Sequence, residues 1–165
     1  VYHKGLNGGT NPHEYNLMLN ETAAESDATW VWNDTAPTAT AFSVASDAST
    51  NGQSDKYIAM LFASVKGVSH CGYYDGSDSS QTITIPDGGF QPRFIIIKCT
   101  THAFDWLVFD TTRGWTSGND QRIRLNTDEA QAAQDVGAPT STGFTLTSEW
   151  DWNDAGKKYI YYAHA

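Results

Sequence analysis

With 165 residues, ten Lys and Arg, nineteen Asp and Glu and a formal net charge of −9, the chain can bury the core of one domain. Its charge has the wrong sign for a nucleic acid or an anionic membrane surface, both of which need basic patches. No apolar run approaches the length of a bilayer-spanning helix, so membrane insertion is not expected.

Aromatic residues make up 13% and charged residues 18% of the chain. Small polar residues fill much of the rest, the profile of an extracellular or virion-type β protein. The two cysteines, Cys71 and Cys99, sit in strand-like runs and read as buried thiols, since so sparse a pair is not a disulfide framework. The sequence opens on Val, not Met, as expected of a processed product or a portion of a longer protein.

In chain order, Val1 to Lys4 reads as the end of a strand, and Gly5 to Pro12 as a turn-rich loop. Tyr15 to Leu19 reads as a short strand. Residues 20–28 read as a loop or one helical turn. After Trp30-Val31-Trp32-Asn33-Asp34 and Phe42-Ser43-Val44 comes Tyr57 to Ala63, an apolar run bounded by Lys56 and Ser64. Such a run reads as a strand buried on both faces. Val68 to Tyr74 is a strand closed by Asp75-Gly76. Thr82 to Ile85 alternates like a half-buried strand, and Pro86 to Gly89 turns it. Phe94 to Lys98 and Asp105 to Asp110 are expected to pair across the loop 100–103. Asn126-Thr127-Asp128-Glu129 has the spelling of a helix N-terminus and predicts a short helix over 127–133. Tyr159 to Ala165 repeats the buried-strand pattern. The expected core includes Ile58, Phe62, Ile95, Ile97, Leu107 and Ile160, with Trp106 beside them.

The chain repeats itself. Ala36-Pro37-Thr38 matches Ala138-Pro139-Thr140, Phe42 matches Phe144, Asn51 matches Asn153, Lys56 matches Lys158 and Tyr57-Ile58 matches Tyr159-Ile160, all offset by 102 positions. Earlier, Asn16 to Asn20 matches Arg122 to Asn126 at an offset of 106. A constant register over several motifs marks an internal duplication. The expected fold is all-β: an antiparallel β-sandwich built from the duplicated half, with one short helix. The chain reads as a single β-rich module over 1–165, with a first pseudo-repeat at 1–66, a linker hairpin at 67–93 and a second pseudo-repeat at 94–165.

Several segments carry a family resemblance: the Tyr-Ile-Ala-x-x-Phe-Ala run at 57–63, Gly67-Val68-Ser69, Gly72-Tyr73-Tyr74-Asp75-Gly76, Gly89-Phe90-Gln91-Pro92-Arg93-Phe94 and Asp105-Trp106-Leu107. Together they resemble an uncharacterised domain family of bacteriophage tail and fibre proteins, often found after a concanavalin-like lectin domain in phages of aquatic hosts. The resemblance covers nearly the whole chain. It implies a non-enzymatic component of a virion or extracellular appendage, and it supplies no catalytic or binding residues. Members of that family usually carry an Asp-Trp strand ahead of the segment matching Val1 to Lys4.

No catalytic motif stands out. The five histidines fall in no zinc-binding spacing, and neither a metal nor a cofactor is expected. Of the carboxylates, Glu14, Asp105, Asp110, Asp128, Glu129, Glu149 and Asp151 would be the candidates for a glycosidase pair; solvated loop acids are the plainer reading.

The aromatics point to a sugar. Trp30 and Trp32 with Asn33, and Trp150 and Trp152 with Asn153, share the spelling Trp-x-Trp-Asn-Asp, and Trp115 lies between Gly114 and Thr116. A flat indole covers the apolar face of a pyranose while a neighbouring amide bonds its hydroxyls. The plainer alternative places these rings in the core or against a neighbouring subunit. Asn20 and Asn33 fit the N-glycosylation pattern.

The second pseudo-repeat is led in by two strands, Phe94 to Lys98 and Asp105 to Asp110, that the first lacks. Upstream residues or a partner chain are therefore expected against Val1, Tyr2, His3 and Lys4. The functional expectation is a structural and adhesive module of a tail fibre or similar appendage, forming a homo-oligomer or polymer and binding a cell-surface glycan. A self-assembling filament or shell subunit without a receptor role is the first rival, and a carbohydrate-active enzyme the second.

Overall fold

The computed structural model describes the backbone of residues 1–165 and every side chain except that of Trp150. Short apolar runs separated by turn residues become short strands. After two single 3₁₀ turns, Leu6–Gly9 and Pro12–Glu14, come β1 (Tyr15–Asn16), β2 (Ser26–Asp27), α1 (Thr29–Trp32) and α2 (Ala48–Asn51). Then follow β3 (Ser69–Asp75), β4 (Gln81–Thr84), β5 (Phe94–Cys99), β6 (Leu107–Asp110), β7 (Asp120–Arg124), β8 (Ala132–Gln134), β9 (Pro139–Thr140) and β10 (Gly143–Leu146). The last two elements are α3 (Trp150–Asn153) and β11 (Lys158–His164).

The main sheet has the order β3-β11-β5-β6-β7-β8, antiparallel throughout. Ile160 lies opposite Tyr73 on one side and Lys98 on the other. Successive side chains point to opposite faces of a strand, so each central strand feeds two cores. Tyr74, Tyr159, Tyr161, Ala163, Ile95, Ile97, Leu107 and Phe109 face a second sheet, β4-β10-β9, and pack there with Phe144, Leu146, Ile85 and Phe90. The fold is thus an all-β sandwich. The opposite face carries Trp106, Ile160 and Ile96, which are covered by Leu6, Leu17 and Tyr15 from the first 20 residues. Because both faces are covered, these strands read as continuous apolar runs.

Lys98 belongs to the second face and is fully buried. Its ammonium donates to the carbonyls of Thr22 at 3.0 Å and Phe104 at 2.7 Å. Burial pushes its pKa down to about 8. With Trp106 Nε1 donating to the Met18 carbonyl at 2.9 Å, it ties the N-terminal layer to the sheet.

Four expectations are corrected. Ile95, Ile97, Leu107 and Ile160 are buried, but Ile58 is 94% and Phe62 59% exposed. Residues 57–63 form no strand, because β3 and β5, the flanks such a strand needs, are taken by β11. Residues 67–93 are not a hairpin: β3 pairs with β11 and β4 with β10, so the connection crosses between sheets. The helix expected over 127–133 is absent, and 132–134 is β8. Asn126 is drawn off its capping role; its side chain accepts from Trp106 N–H at 2.8 Å and donates to Asp105. Each Trp-x-Trp segment forms a single helical turn.

Replacing Ile97 with Ala is expected to cost about 2–5 kcal/mol, as for a packed core site. Ile58→Ala should change stability by less than about 0.5 kcal/mol. Urea denaturation of the two variants checks this; comparable losses would show that residues 57–63 are packed.

Candidate functional site

The repeat offsets recur in the hydrogen bonds. β1 and β2 pair Tyr15 with Asp27 and Asn16 with Ser26, as β7 and β8 pair Gln121 with Ala133 and Arg122 with Ala132. Ala45 N–H donates to the Val31 carbonyl at 3.0 Å and its counterpart Thr147 N–H to the Val136 carbonyl at 2.9 Å; the donors keep the repeat offset, and the acceptors lie where the two copies differ in length. Helices α2 and α3 occupy equivalent positions 102 residues apart, and in each the Asn amide closes the turn, Asn51 onto Asp47 and Asn153 onto Glu149, both at 2.8 Å. Gly52 N–H donates to the Tyr57 hydroxyl at 2.6 Å, and Asp154 N–H to the Tyr159 hydroxyl at 3.0 Å.

Equivalent positions nevertheless differ in burial. Tyr159, Ile160 and Phe144 are core, whereas Tyr57, Ile58 and Phe42 are exposed. Met60 and Leu61 are exposed as well, and Leu61 is 78% accessible. This bare apolar stretch is tethered near its start by the Tyr57 hydroxyl, and at its far end by contacts to β3 and β11. Val65 bridges to Ser69, Ser69 Oγ donates to the Ala63 carbonyl at 2.7 Å, and the Phe62 ring leans on Tyr162 with centroids 4.9 Å apart. Contiguous exposed apolar surface of this kind marks an interaction site.

The residues expected to meet a sugar divide. Trp115 and Trp152 are sealed in the sandwich core against Phe109, and Tyr74 O–H donates to the Trp152 carbonyl at 2.6 Å. Asn153 is buried too. Its Oδ1 accepts from Ser77 N–H at 2.9 Å and from Gln81, while its Nδ2 donates to the Ser79 and Thr147 carbonyls. These three residues offer no surface, and the sugar-contact expectation fails for them because the sandwich has consumed their faces. The Trp150 side chain lies outside the described residues. Trp32 is half-buried, donates to the Tyr15 carbonyl at 3.1 Å and meets the Tyr2 ring edge-on. Among the described tryptophan side chains only Trp30 stands out, 55% exposed. Its backbone and ring reach Asp47, whose carboxyl is held below its usual range by the Ser49 hydroxyl and N–H, with a further bond from Trp30. Asn33 follows α1 in the left-handed conformation at φ 55°, exposed, as is Asn20.

The candidate glycosidase acids are largely engaged elsewhere. Asp110 pairs with Arg113 at 2.6 Å, Asp105 with Arg124 at 2.8 Å, Asp151 with Arg122 at 3.2 Å, and Glu129 with Arg124. His13, Glu14 and Asp34 bring ligand atoms within 4.8 Å of one another, a half-exposed cluster that the sequence spacing did not reveal. Both cysteines are free thiols; burial raises their pKa values, Cys99 being buried and Cys71 half-buried. No helix among the described residues is long and apolar enough to cross a membrane.

Val1 exchanges backbone bonds with Leu17. His3 Nδ1 accepts from Gly5 N–H at 2.9 Å, and burial pushes the ring's pKa down to about 4. A family model matches the sequence over residues 1–165. The chain belongs to the family described as a domain of unknown function (DUF7483). No curated protein and no solved structure matches the chain. What a member of this family does has therefore to be argued from its own surfaces.

His3 gives a pH test. Its folded pKa lies below its unfolded value, so the unfolded state binds the extra proton first, and stability falls as pH drops from about 6.5 to about 4. His3→Gln should flatten that part of the stability–pH curve, read by chemical denaturation at a series of pH values. An unchanged slope would show that His3 is solvated.

Proposed function

We propose that this chain is a non-enzymatic structural module of an extracellular appendage, of the bacteriophage tail-fibre kind, which joins its neighbours through the bare apolar stretch of its first half. The observation that carries this is the opposite burial of matched positions: Ile160 is 3% and Ile58 94% exposed. A sequence patterned for a core and presented to water is what strand-completing assemblies use. The engagement of Asp105, Asp110, Glu129 and Asp151 with arginines supports a binding role over a hydrolytic one.

Sedimentation velocity on the purified chain should show association that rises into the tens of micromolar. The double variant Ile58→Lys, Leu61→Glu should stay monomeric with an unaltered melting temperature. A monomer at every concentration for the unaltered chain would overturn the reading.

The exposed ring of Trp30, beside Asp47 and one turn from Asn33, favours a second role in glycan contact. On a glycan array, Trp30→Ala should abolish any signal while leaving the melting temperature nearly unchanged, because the ring contributes little to the core. Retention of the signal would remove the residue from the site.

A further inference from the structure

We propose that Tyr57 to Ala63 is the central strand of a second sandwich, completed by a segment of the β3–β4–β5 pattern drawn from another repeat of this domain, and not by a second copy of this chain. The proposal rests on one premise of the reading above, that the bare stretch 57–63 is an interaction site, and names its partner.

The chain contains its own template. In the second half β11 lies between β3 and β5. Tyr159 stacks on Tyr74 of β3, centroids 5.0 Å apart and planes 7° from parallel. Lys158 meets the Asp75 carboxylate at 2.8 Å. Asn153 spends three of its four bonds on residues 77–81.

The first half has every matching group on one side of these contacts. Tyr57 is fixed by Gly52 and by the Ala48 carbonyl, with its ring half bare. Lys56 has no ion pair among the described residues, whereas its counterpart Lys158 faces an aspartate. Asn51 keeps the bond to the Ala45 carbonyl at 2.6 Å that matches Asn153 to Thr147. The three bonds to a 77–81-type segment are the ones it lacks. Charge, ring stacking and amide bonding therefore specify one occupant: antiparallel strands bearing Tyr-Asp where β3 bears Tyr74-Asp75, with a polar loop after them.

Counting excludes a second copy as the source. Each chain holds two central strands of this pattern, 57–63 and 158–164, and one β3–β4–β5 set, which β11 already uses. Any number of copies leaves one central strand bare per chain.

The test adds a duplicate of residues 67–107 ahead of Val1 in the full chain and follows amide hydrogen exchange. Amides of 57–63 should slow by about a hundredfold or more, reaching protection like that of 158–164. The same addition carrying Asp75→Lys should lose much of that protection. If the extended chain fails to fold, the 67–107 polypeptide is mixed in excess with the unaltered chain, and the same amides are read. Unprotected 57–63 amides beside protected 158–164 amides, in whichever arm folds, would overturn the proposal. So would protection of 57–63 in the unaltered chain at high concentration, since a second copy would then suffice. If the unaltered chain proves monomeric while the extended chain is protected, the appendage reading falls and this one stands.

Discussion

The pairing of β11 with β3 on one side and β5 on the other is the constraint on which the rest of the molecule depends. β11 is buried by hydrogen bonds along both edges and by side chains on both faces. Tyr159 and Tyr161 enter the sandwich core, and Ile160 enters the layer under the N-terminal segment. The close approach of β3 is made by Gly72, where an added Cβ would fall 2.3 Å from the Tyr161 ring. A strand in that position has no polar face, so every backbone group has to find its partner in the ladder.

Two buried polar side chains connect the layers that β11 organises. Asn153 uses both its donors and its acceptor to fix the 77–81 loop against α3, and so sets where the chain leaves β3 for β4. Lys98 does the corresponding work on the other face by binding carbonyls from two different loops. Lys98 is satisfied by backbone carbonyls, and Asn153 by backbone groups and the Gln81 amide; neither needs an opposite charge, which fixes geometry without a buried ion pair.

The sequence displayed the strands more clearly than their partners. Ile95, Ile97, Leu107 and Ile160 lie in short apolar runs, and such runs are buried wherever flanking strands exist. Ile58 and Phe62 have the same local pattern, and a pattern carries no information about whether a flank is free. The Trp pairs failed for a related reason. Spacing of two places side chains together on a strand, but α1 and α3 are helical turns, so Trp152 goes inward while Trp30 goes out. Asn126 and Glu129 spelled a helix start, yet Trp106 and Asp105 captured the Asn126 side chain from beside β6, and Arg124 at the end of β7 captured Glu129. The His13, Glu14 and Asp34 grouping was invisible because the fold, not the spacing, joins it.

The small bridge between Val65 and Ser69 has a kinetic consequence. It already starts a tight reversal that aims the 57–63 segment along β3, whereas the native partners of β3 lie 83 to 95 positions away, from Lys158 opposite Asp75 to His164 opposite Ser69. Closing a short loop is far quicker than closing a long one. The loop that would bring 57–63 against β3 is the shorter of the two to close. The duplicated pattern thus places beside β3 a look-alike of β11 that is far nearer in sequence than β11 itself.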